Sequence, residues 1–123
     1  MQTIIITSTE RFWQEAQRAG EYTQSTLDAK LDEVGFIHAT SPHQTTAMLN
    51  RRFADRDDII LLLVNLDKVK PEVKFEEPLS STKGLFPHIY GPLNLDAVYR
   101  QIKPTKDSSG NFVDSDELQQ PAV

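Results

Sequence analysis

The sequence predicts one α+β domain with a mixed, mostly antiparallel β-sheet and flanking helices. Helix signals concentrate in the first half of the chain and strand signals in the second half, which is typical of this class. Residues 59–66 are almost continuously apolar, as in a central strand that is covered on both faces. A chain of 123 residues with 38% hydrophobic and 25% charged residues suits a single globular domain.

The first part of the chain predicts a strand followed by two helices. Residues 3–7 form a short, β-branched segment that favours a strand. Apolar residues recur at helical spacing between Phe12 and Ala19, and Gly20 is placed to end that helix. Residues 27–34 predict a second, shorter helix.

A strand and a third helix are predicted next. Residues 36–40 favour a strand, and its two-residue alternation places Phe36, His38 and Thr40 on one face. The Ser-Pro pair that follows is a typical helix start and predicts a helix that runs to about residue 53.

Strand signals dominate the second half. After the central strand, residues 73–76 alternate like a strand with one face in water, and residues 97–102 predict a last strand. Between these two, residues 86–93 carry two prolines and a glycine and predict a rigid turn. We therefore place the domain at residues 1–103 and predict a loosely attached, polar and acidic tail over residues 104–123.

The composition excludes several classes of protein. The chain has no cysteine, which rules out disulfides, thiolate catalysis and cysteine-based zinc sites. Its formal net charge of −5 argues against general binding to nucleic acid. No apolar run approaches the ~20 residues of a membrane span, and the N-terminus lacks the pattern of a signal peptide. We expect a cytoplasmic protein without a membrane segment, whose oligomeric state the sequence leaves open.

The first histidine candidate is His38. With Thr40 on the same predicted face and a helix start directly beyond, it would form a cradle for a ribose or a phosphate group. The alternative is a structural histidine whose ring nitrogens bond to backbone and neighbouring side chains.

The second candidate segment contains His88 and Tyr90. Prolines and a glycine frame these residues, so the segment would form a rigid pocket wall opposite His38, on which a planar ring could stack. The alternative is a structural corner. Glu76 and Glu77 end the preceding predicted strand, and they are the best-placed acids if the chemistry needs a carboxylate.

Metal binding and nucleophilic catalysis are not predicted. The spacing from His38 to His43 matches no established ligand motif, and a strand-to-helix break is predicted between them. No Gly-x-Ser-x-Gly elbow and no glycine-rich phosphate loop is present. We therefore expect no metal cofactor.

Two sequence blocks carry a family resemblance. The runs Gly-Phe-Ile-His-Ala-Thr-Ser at residues 35–41 and Phe-Pro-His-Ile-Tyr-Gly-Pro-Leu at residues 86–93 resemble the bacterial domain-of-unknown-function 952 family over residues 4–102. That family is grouped with the ADP-ribosyltransferase-like superfamily, so the resemblance implies a split, mostly antiparallel sheet with flanking helices. Residues 36–66 also resemble part of the RNA 2′-phosphotransferases of that superfamily.

The resemblance implies a site for NAD as a substrate. It would place His38 and Thr40 at the ribose next to nicotinamide, Arg52 near the phosphates, and Tyr90 or Tyr22 against the nicotinamide ring. His88 would join the binding residues, and His38 and Glu76 would be catalytic.

The implied function is binding of a small nucleotide, with glycosyl transfer from NAD as the activity if the protein is an enzyme. The superfamily's catalytic glutamate follows the aromatic motif, whereas Glu76 and Glu77 precede it here. The alternative is a non-catalytic module that binds a ligand or a protein and whose histidines are structural.

Overall fold

Two three-stranded antiparallel sheets form the frame of the molecule. The structure, a computed structural model, describes residues 2–78 and 84–119. Its strands are β1 (Thr3–Thr9), β2 (Glu21–Tyr22), β3 (Ile37–His38), β4 (Ile59–Asn65), β5 (Glu72–Glu76), β6 (Phe86–Tyr90), β7 (Leu93–Asn94), β8 (Val98–Ile102), β9 (Thr105–Lys106) and β10 (Phe112–Val113). Its α-helices are α1 (Glu10–Ala19), α2 (Leu31–Val34), α3 (Pro42–Arg52) and α4 (Asp116–Gln119), and two short 3₁₀ turns lie at Leu66–Lys68 and Leu95–Ala97.

The first sheet has the strand order β1-β4-β8, and β4 pairs antiparallel with both neighbours. Alternate residues of β4 enter two separate hydrophobic cores. Leu62 and Val64 enter the first core, and Leu61 and Leu63 enter the second core. Because β4 is buried on both faces, its sequence is apolar at nearly every position. The prediction of a central strand is confirmed.

The second sheet has the order β3-β6-β5 and is also antiparallel. The predicted rigid turn over residues 86–93 is wrong for residues 86–90, which form β6 at the centre of this sheet. Pro87 does not interrupt the pairing, because its carbonyl oxygen accepts a hydrogen bond from the Ala39 amide at 3.0 Å. Partners on both sides therefore outweigh the turn preference of the proline-rich sequence.

A β-bridge between Ile5 and Thr40 links the two sheets, with two backbone hydrogen bonds of 2.8 Å. The fold is thus a mixed α+β arrangement with mostly antiparallel sheets, as predicted. Helix α1 ends at Gly20, whose φ of 87° is easily adopted only by glycine. Helix α3 begins at Ser41 with a capping box.

Helix α2 is shorter than predicted. Residues 25–30 form a turn instead, in which the amides of Ser25 and Thr26 both donate to the Ala29 carbonyl at 3.0 Å. This turn places the Ser25 side chain next to β3. No helix of the described residues is long and apolar enough to cross a membrane.

The predicted tail is packed against the domain over residues 105–119. Strands β9 and β10 pair, and Phe112 and Leu118 are 4% and 3% exposed in the second core. The Asn50 side chain also bonds to the backbone of Phe112 at both its carbonyl (2.9 Å) and its amide (2.7 Å). The segment was predicted to be loosely attached because most of its residues are polar, but its two buried apolar side chains are enough to hold it against the domain. Residues 120–123 lie outside the described part.

Candidate functional site

Four of the side chains that the sequence analysis proposed for a site lie on one face of the second sheet. In antiparallel register, His38 lies opposite His88, and Ile37 lies opposite Ile89. The two isoleucines are fully buried in the first core, so the histidines project from the other face. Alternation along β5 and β6 puts Glu76 and Tyr90 on the same face as the histidines. We call His38, Glu76, His88 and Tyr90 the polar cluster.

Glu76 is the centre of the polar cluster. Its Oε1 accepts a hydrogen bond from the Tyr90 hydroxyl and lies 3.0 Å from Nδ1 of His88. These two bonds, that of Tyr90 first, hold the pKa of Glu76 below its usual range, while the same bond raises the pKa of Tyr90. The Glu76 side chain remains 37% exposed, whereas His88 is buried. The carboxylate is therefore ionised at neutral pH and still accessible.

His38 is held from the opposite side by Ser25. The Ser25 hydroxyl donates its hydrogen to the Phe36 carbonyl, and its oxygen lies 3.2 Å from Nδ1 of His38. Since that hydrogen is already used, the oxygen can only accept, so Nδ1 of His38 carries the proton and Nε2 has a free lone pair. Partial desolvation, followed by repulsion from His88, lowers the pKa of His38, and Arg52 adds to this effect.

Phe36 packs over the polar cluster. Its ring stacks on His88 with centroids 4.1 Å apart, and it also contacts His38 at 4.8 Å and Tyr90 at 5.4 Å. The rings of His38 and His88 are 5.5 Å apart. The prediction that the two histidine segments form opposite pocket walls is therefore wrong, because β3 and β6 are paired neighbours in one sheet.

A cavity of about 410 Å³ opens beside the two histidines. Helix α3 contributes Arg51 and Arg52, both exposed, and Asp28 is the one acidic side chain among the described lining residues. The other described lining residues come from β1, the turn after β2, β3, α3 and the β5–β6 region: Ile5, Thr7, Ser25, Thr26, Leu27, His38, Ala39, Thr40, Met48, Phe53, Pro78, Phe86 and His88. Glu76 and Tyr90 are not among the lining residues. They contact the cavity only indirectly, because Glu76 bonds to His88 and Tyr90 bonds to Glu76.

Two threonines of the cavity differ in their hydrogen bonding. Thr40 is buried, and its hydroxyl bonds to that of Thr45 at 2.8 Å and to the Ile5 carbonyl at 3.4 Å. The predicted ligand contact at Thr40 therefore competes with a structural role. The hydroxyl of Thr7 is buried and has no partner among the described residues. A ligand or a water molecule would satisfy it.

Tyr22 does not lie at the cavity. Its ring is 1% exposed in the first core, and its hydroxyl donates to Ser8 at 2.9 Å. Burial raises the pKa of Tyr22 to about 12. The predicted stacking of a nicotinamide on Tyr22 is wrong, because a ring buried in the core offers no surface to a ligand.

The cavity lining also contains three residues that were not predicted as site residues: Ser25, Arg51 and Phe86. Of these, only Arg51 has a feature in the sequence that could indicate a site, which is its positive charge. Nothing near Ser25 signals a role, because its contact with His38 depends on the turn over residues 25–30. Among the described residues, no group of three or more histidine, aspartate or glutamate side chains is arranged to hold a metal ion. His43 is exposed on α3 and outside the described lining.

Comparison with known proteins identifies the family. Residues 7–101 match the family model described as "Protein of unknown function (DUF952)". The chain belongs to the DUF952 family. Both histidines, Glu76 and Tyr90 lie within the matched part. No curated protein matches this DUF952 chain.

Solved structures of protein CC0527 from Caulobacter crescentus are similar to this DUF952 protein. The crystal structure is 26% identical, with a TM-score of 0.79 over 95% of this chain and 98% of the other. The solution NMR structure is 24% identical, with a TM-score of 0.71 over 90% and 91% of the two chains. Since the first match omits only 5% of this chain, it extends past residue 103 and includes part of the packed C-terminal segment.

Proposed function

We propose that this DUF952 protein binds NAD or another ligand of the ADP-ribose type in the cavity beside His38. The main support for this proposal is that one cavity combines a nucleotide-sized volume, a histidine with a free acceptor nitrogen, and two arginines at its opening. Cavities of about 300 to 1,000 Å³ are typical of small-molecule sites. Membership of the ADP-ribosyltransferase-like superfamily is part of this proposal.

The arginines would bind the phosphates. Arg51 and Arg52 lie in the last turn of α3, where a cation also interacts favourably with the helix dipole. Neither forms an ion pair with a described residue, so both guanidinium groups are available to an anion. This local positive charge contrasts with the net charge of −5 for the whole chain.

His38 would bind the ribose. With Nδ1 held by Ser25, Nε2 can accept a hydrogen bond from a ribose hydroxyl. The lining also contains Thr7, whose hydroxyl oxygen is buried and has no hydrogen-bond partner among the described residues. A ligand with both hydroxyl and phosphate groups therefore matches the polar groups of the lining.

Glu76 would supply the charge for glycosyl transfer. Breaking the bond between C1′ and nicotinamide leaves the electron pair on nicotinamide and positive charge on the ribose, which a nearby carboxylate stabilises. Glu76 does not itself line the cavity, but its ionised carboxylate lies 3.0 Å from Nδ1 of His88, which does, so its charge would act on the ribose across the His88 ring. An acceptor hydroxyl or water would then attack C1′ and lose its proton.

The second candidate is a non-catalytic binding module with a structural His88. The burial of His88, its bond to Glu76 and its stacking on Phe36 favour this alternative, because all three contacts stabilise the sheet. It predicts ligand binding without any release of nicotinamide.

The test is a titration with NAD and with ADP-ribose, followed by the NMR signals of the histidine rings. We expect the His38 signals to shift, and we expect the Arg51→Gln/Arg52→Gln double variant to bind at least 10-fold more weakly, since it loses charge-assisted bonds. The matched control is Arg18→Gln, which alters an arginine in the last turn of α1 instead. No shift of the His38 signals at millimolar ligand would overturn the proposal. Release of nicotinamide separates the transferase from the binding module.

A further inference from the structure

Both histidines of the cavity are fixed through the same ring atom. Nδ1 of His38 lies 3.2 Å from the Ser25 hydroxyl, and Nδ1 of His88 lies 3.0 Å from the Glu76 carboxylate. An imidazole that is anchored at Nδ1 is held in one orientation and presents Nε2 for proton transfer. The cavity is lined by two histidines whose rings are both held at Nδ1.

The two Nε2 atoms are free to meet a ligand. No described residue forms a hydrogen bond with either of them. His88 is mostly buried, and it is one of the residues that line the cavity. The ring centroids are 5.5 Å apart, which allows both histidines to contact one ligand group.

The two anchors give the histidines different roles. Ser25 is neutral and accepts a hydrogen bond from the Nδ1–H group of His38, which leaves Nε2 of that ring as the basic nitrogen. Glu76 is a carboxylate that lies 3.0 Å from Nδ1 of His88, and an imidazole held by a carboxylate at Nδ1 is arranged to act as a proton donor through Nε2. A base and an acid beside one cavity are the requirement for general acid–base catalysis.

We propose that this cavity cleaves short ribonucleotide phosphodiesters, with His38 as general base and His88 as general acid. His38 Nε2 takes the proton of the 2′-hydroxyl, and the 2′-oxygen forms a bond to phosphorus. The bond from phosphorus to the 5′-oxygen breaks, and His88 Nε2 protonates that leaving oxygen. The products are a 2′,3′-cyclic phosphate and a free 5′-hydroxyl, so the reaction needs no water, metal or other reactant.

The charges around the cavity suit a short substrate. Arg51 and Arg52 would neutralise the phosphate and the negative charge that grows on it in the transition state. The net charge of −5 disfavours a long polyanion, whose binding needs an extended basic surface. This activity goes beyond the proposed binding of NAD, since it uses the same cavity with another substrate and does not involve a glycosidic bond.

The experiment uses the dinucleotide uridylyl-(3′→5′)-adenosine, with chromatographic detection of uridine 2′,3′-cyclic phosphate. We expect turnover by the full chain and none of the analogue that lacks the 2′-hydroxyl. His38→Ala and His88→Asn should each lower the rate by about 10²- to 10⁴-fold, which is the usual contribution of a general acid or base. His43→Ala alters the third histidine, which lies outside the described lining, and should keep the parent rate.

A pH profile separates catalysis from a purely structural role. The rate of the parent should follow a bell-shaped curve, and Glu76→Gln should change that pH profile, because the carboxylate that holds Nδ1 of His88 is lost. Circular dichroism identifies any variant that fails to fold, in which case Glu76→Gln and Ser25→Ala carry the test. No cyclic phosphate from the folded parent, or an equal rate for His38→Ala, would overturn the proposal. Either result leaves the binding of NAD unaffected.

Discussion

The two three-stranded sheets have the same antiparallel pairing but present different surfaces. The β1-β4-β8 sheet places apolar side chains in two cores, and β4 is buried along nearly its whole length. The β3-β6-β5 sheet buries one face through Ile37 and Ile89 and presents the polar cluster on the other. The first sheet therefore contributes mainly stability, whereas the second, with only one face committed to the core, is free to carry chemistry.

The contrast is also a difference in hydrogen bonding. In the first sheet, the buried side chains of β4 need no partners, since most of them are aliphatic. In the second sheet, each polar group depends on another: Glu76 on His88 and Tyr90, and His38 on Ser25. Such a network fixes ring orientation, and a change in one member alters the others.

The largest effect is expected in the first sheet. Leu62→Ala removes a fully buried side chain from the centre of β4 and should lower the free energy of unfolding by about 3 kcal/mol, measured by urea denaturation. Leu85→Ala is the matched control, because Leu85 is 53% exposed, and it should change the free energy by less than about 0.5 kcal/mol. Equal losses in the two variants would contradict the assignment of β4 as the structural centre.

A smaller, pH-dependent effect is expected in the second sheet. The pKa of Glu76 in the folded state is lower than its ordinary value of 4.5, so the unfolded chain binds more protons when the pH falls below that value. This stabilisation is complete above pH 4.5 and is lost as the pH falls through the folded-state pKa. Thermal unfolding of Glu76→Gln should therefore lose less stability than the parent over this acidic window.

Tyr90→Phe and Glu77→Gln sharpen the same test. Tyr90→Phe removes the larger of the two hydrogen bonds that lower the pKa of Glu76. This variant should therefore also lose less stability than the parent at acidic pH, although the difference should be smaller than for Glu76→Gln. Glu77 is exposed and forms no hydrogen bond with a described residue, so Glu77→Gln should follow the parent. If Glu77→Gln had the larger effect, Glu76 would not be the centre of the polar cluster.

The smallest effect concerns His38. Arg52→Gln removes one of the charges that lower the pKa of His38, so an NMR titration should show that pKa rising towards its ordinary value. The rise should be modest, because desolvation and His88 are the larger causes. Since the folded state favours the neutral ring, His38 costs stability as the pH falls below about 6.5, and the variant should lessen that cost. Arg18→Gln should leave the titration unchanged.

Local sequence predicted those elements whose signals are local. The aliphatic run of β4, the glycine at the end of α1 and the Ser-Pro start of α3 each act within a few residues, and all three are present in the structure. The β6 segment was mispredicted because its prolines favour a turn, while its strand partners β3 and β5 are distant in the sequence. The C-terminal segment was mispredicted because two apolar side chains are enough to anchor a polar stretch.

The sequence by itself determined which groups the site contains: histidines in apolar segments, no cysteine, and a carboxylate at the end of a predicted strand. Only the tertiary structure decided which of these groups meet. Glu76 precedes the aromatic motif in the chain, yet the antiparallel return of β6 along β5 brings it to His88 and Tyr90. Sequence order therefore does not determine where the Glu76 carboxylate lies, because pairing between strands reverses the chain and sets the register in space.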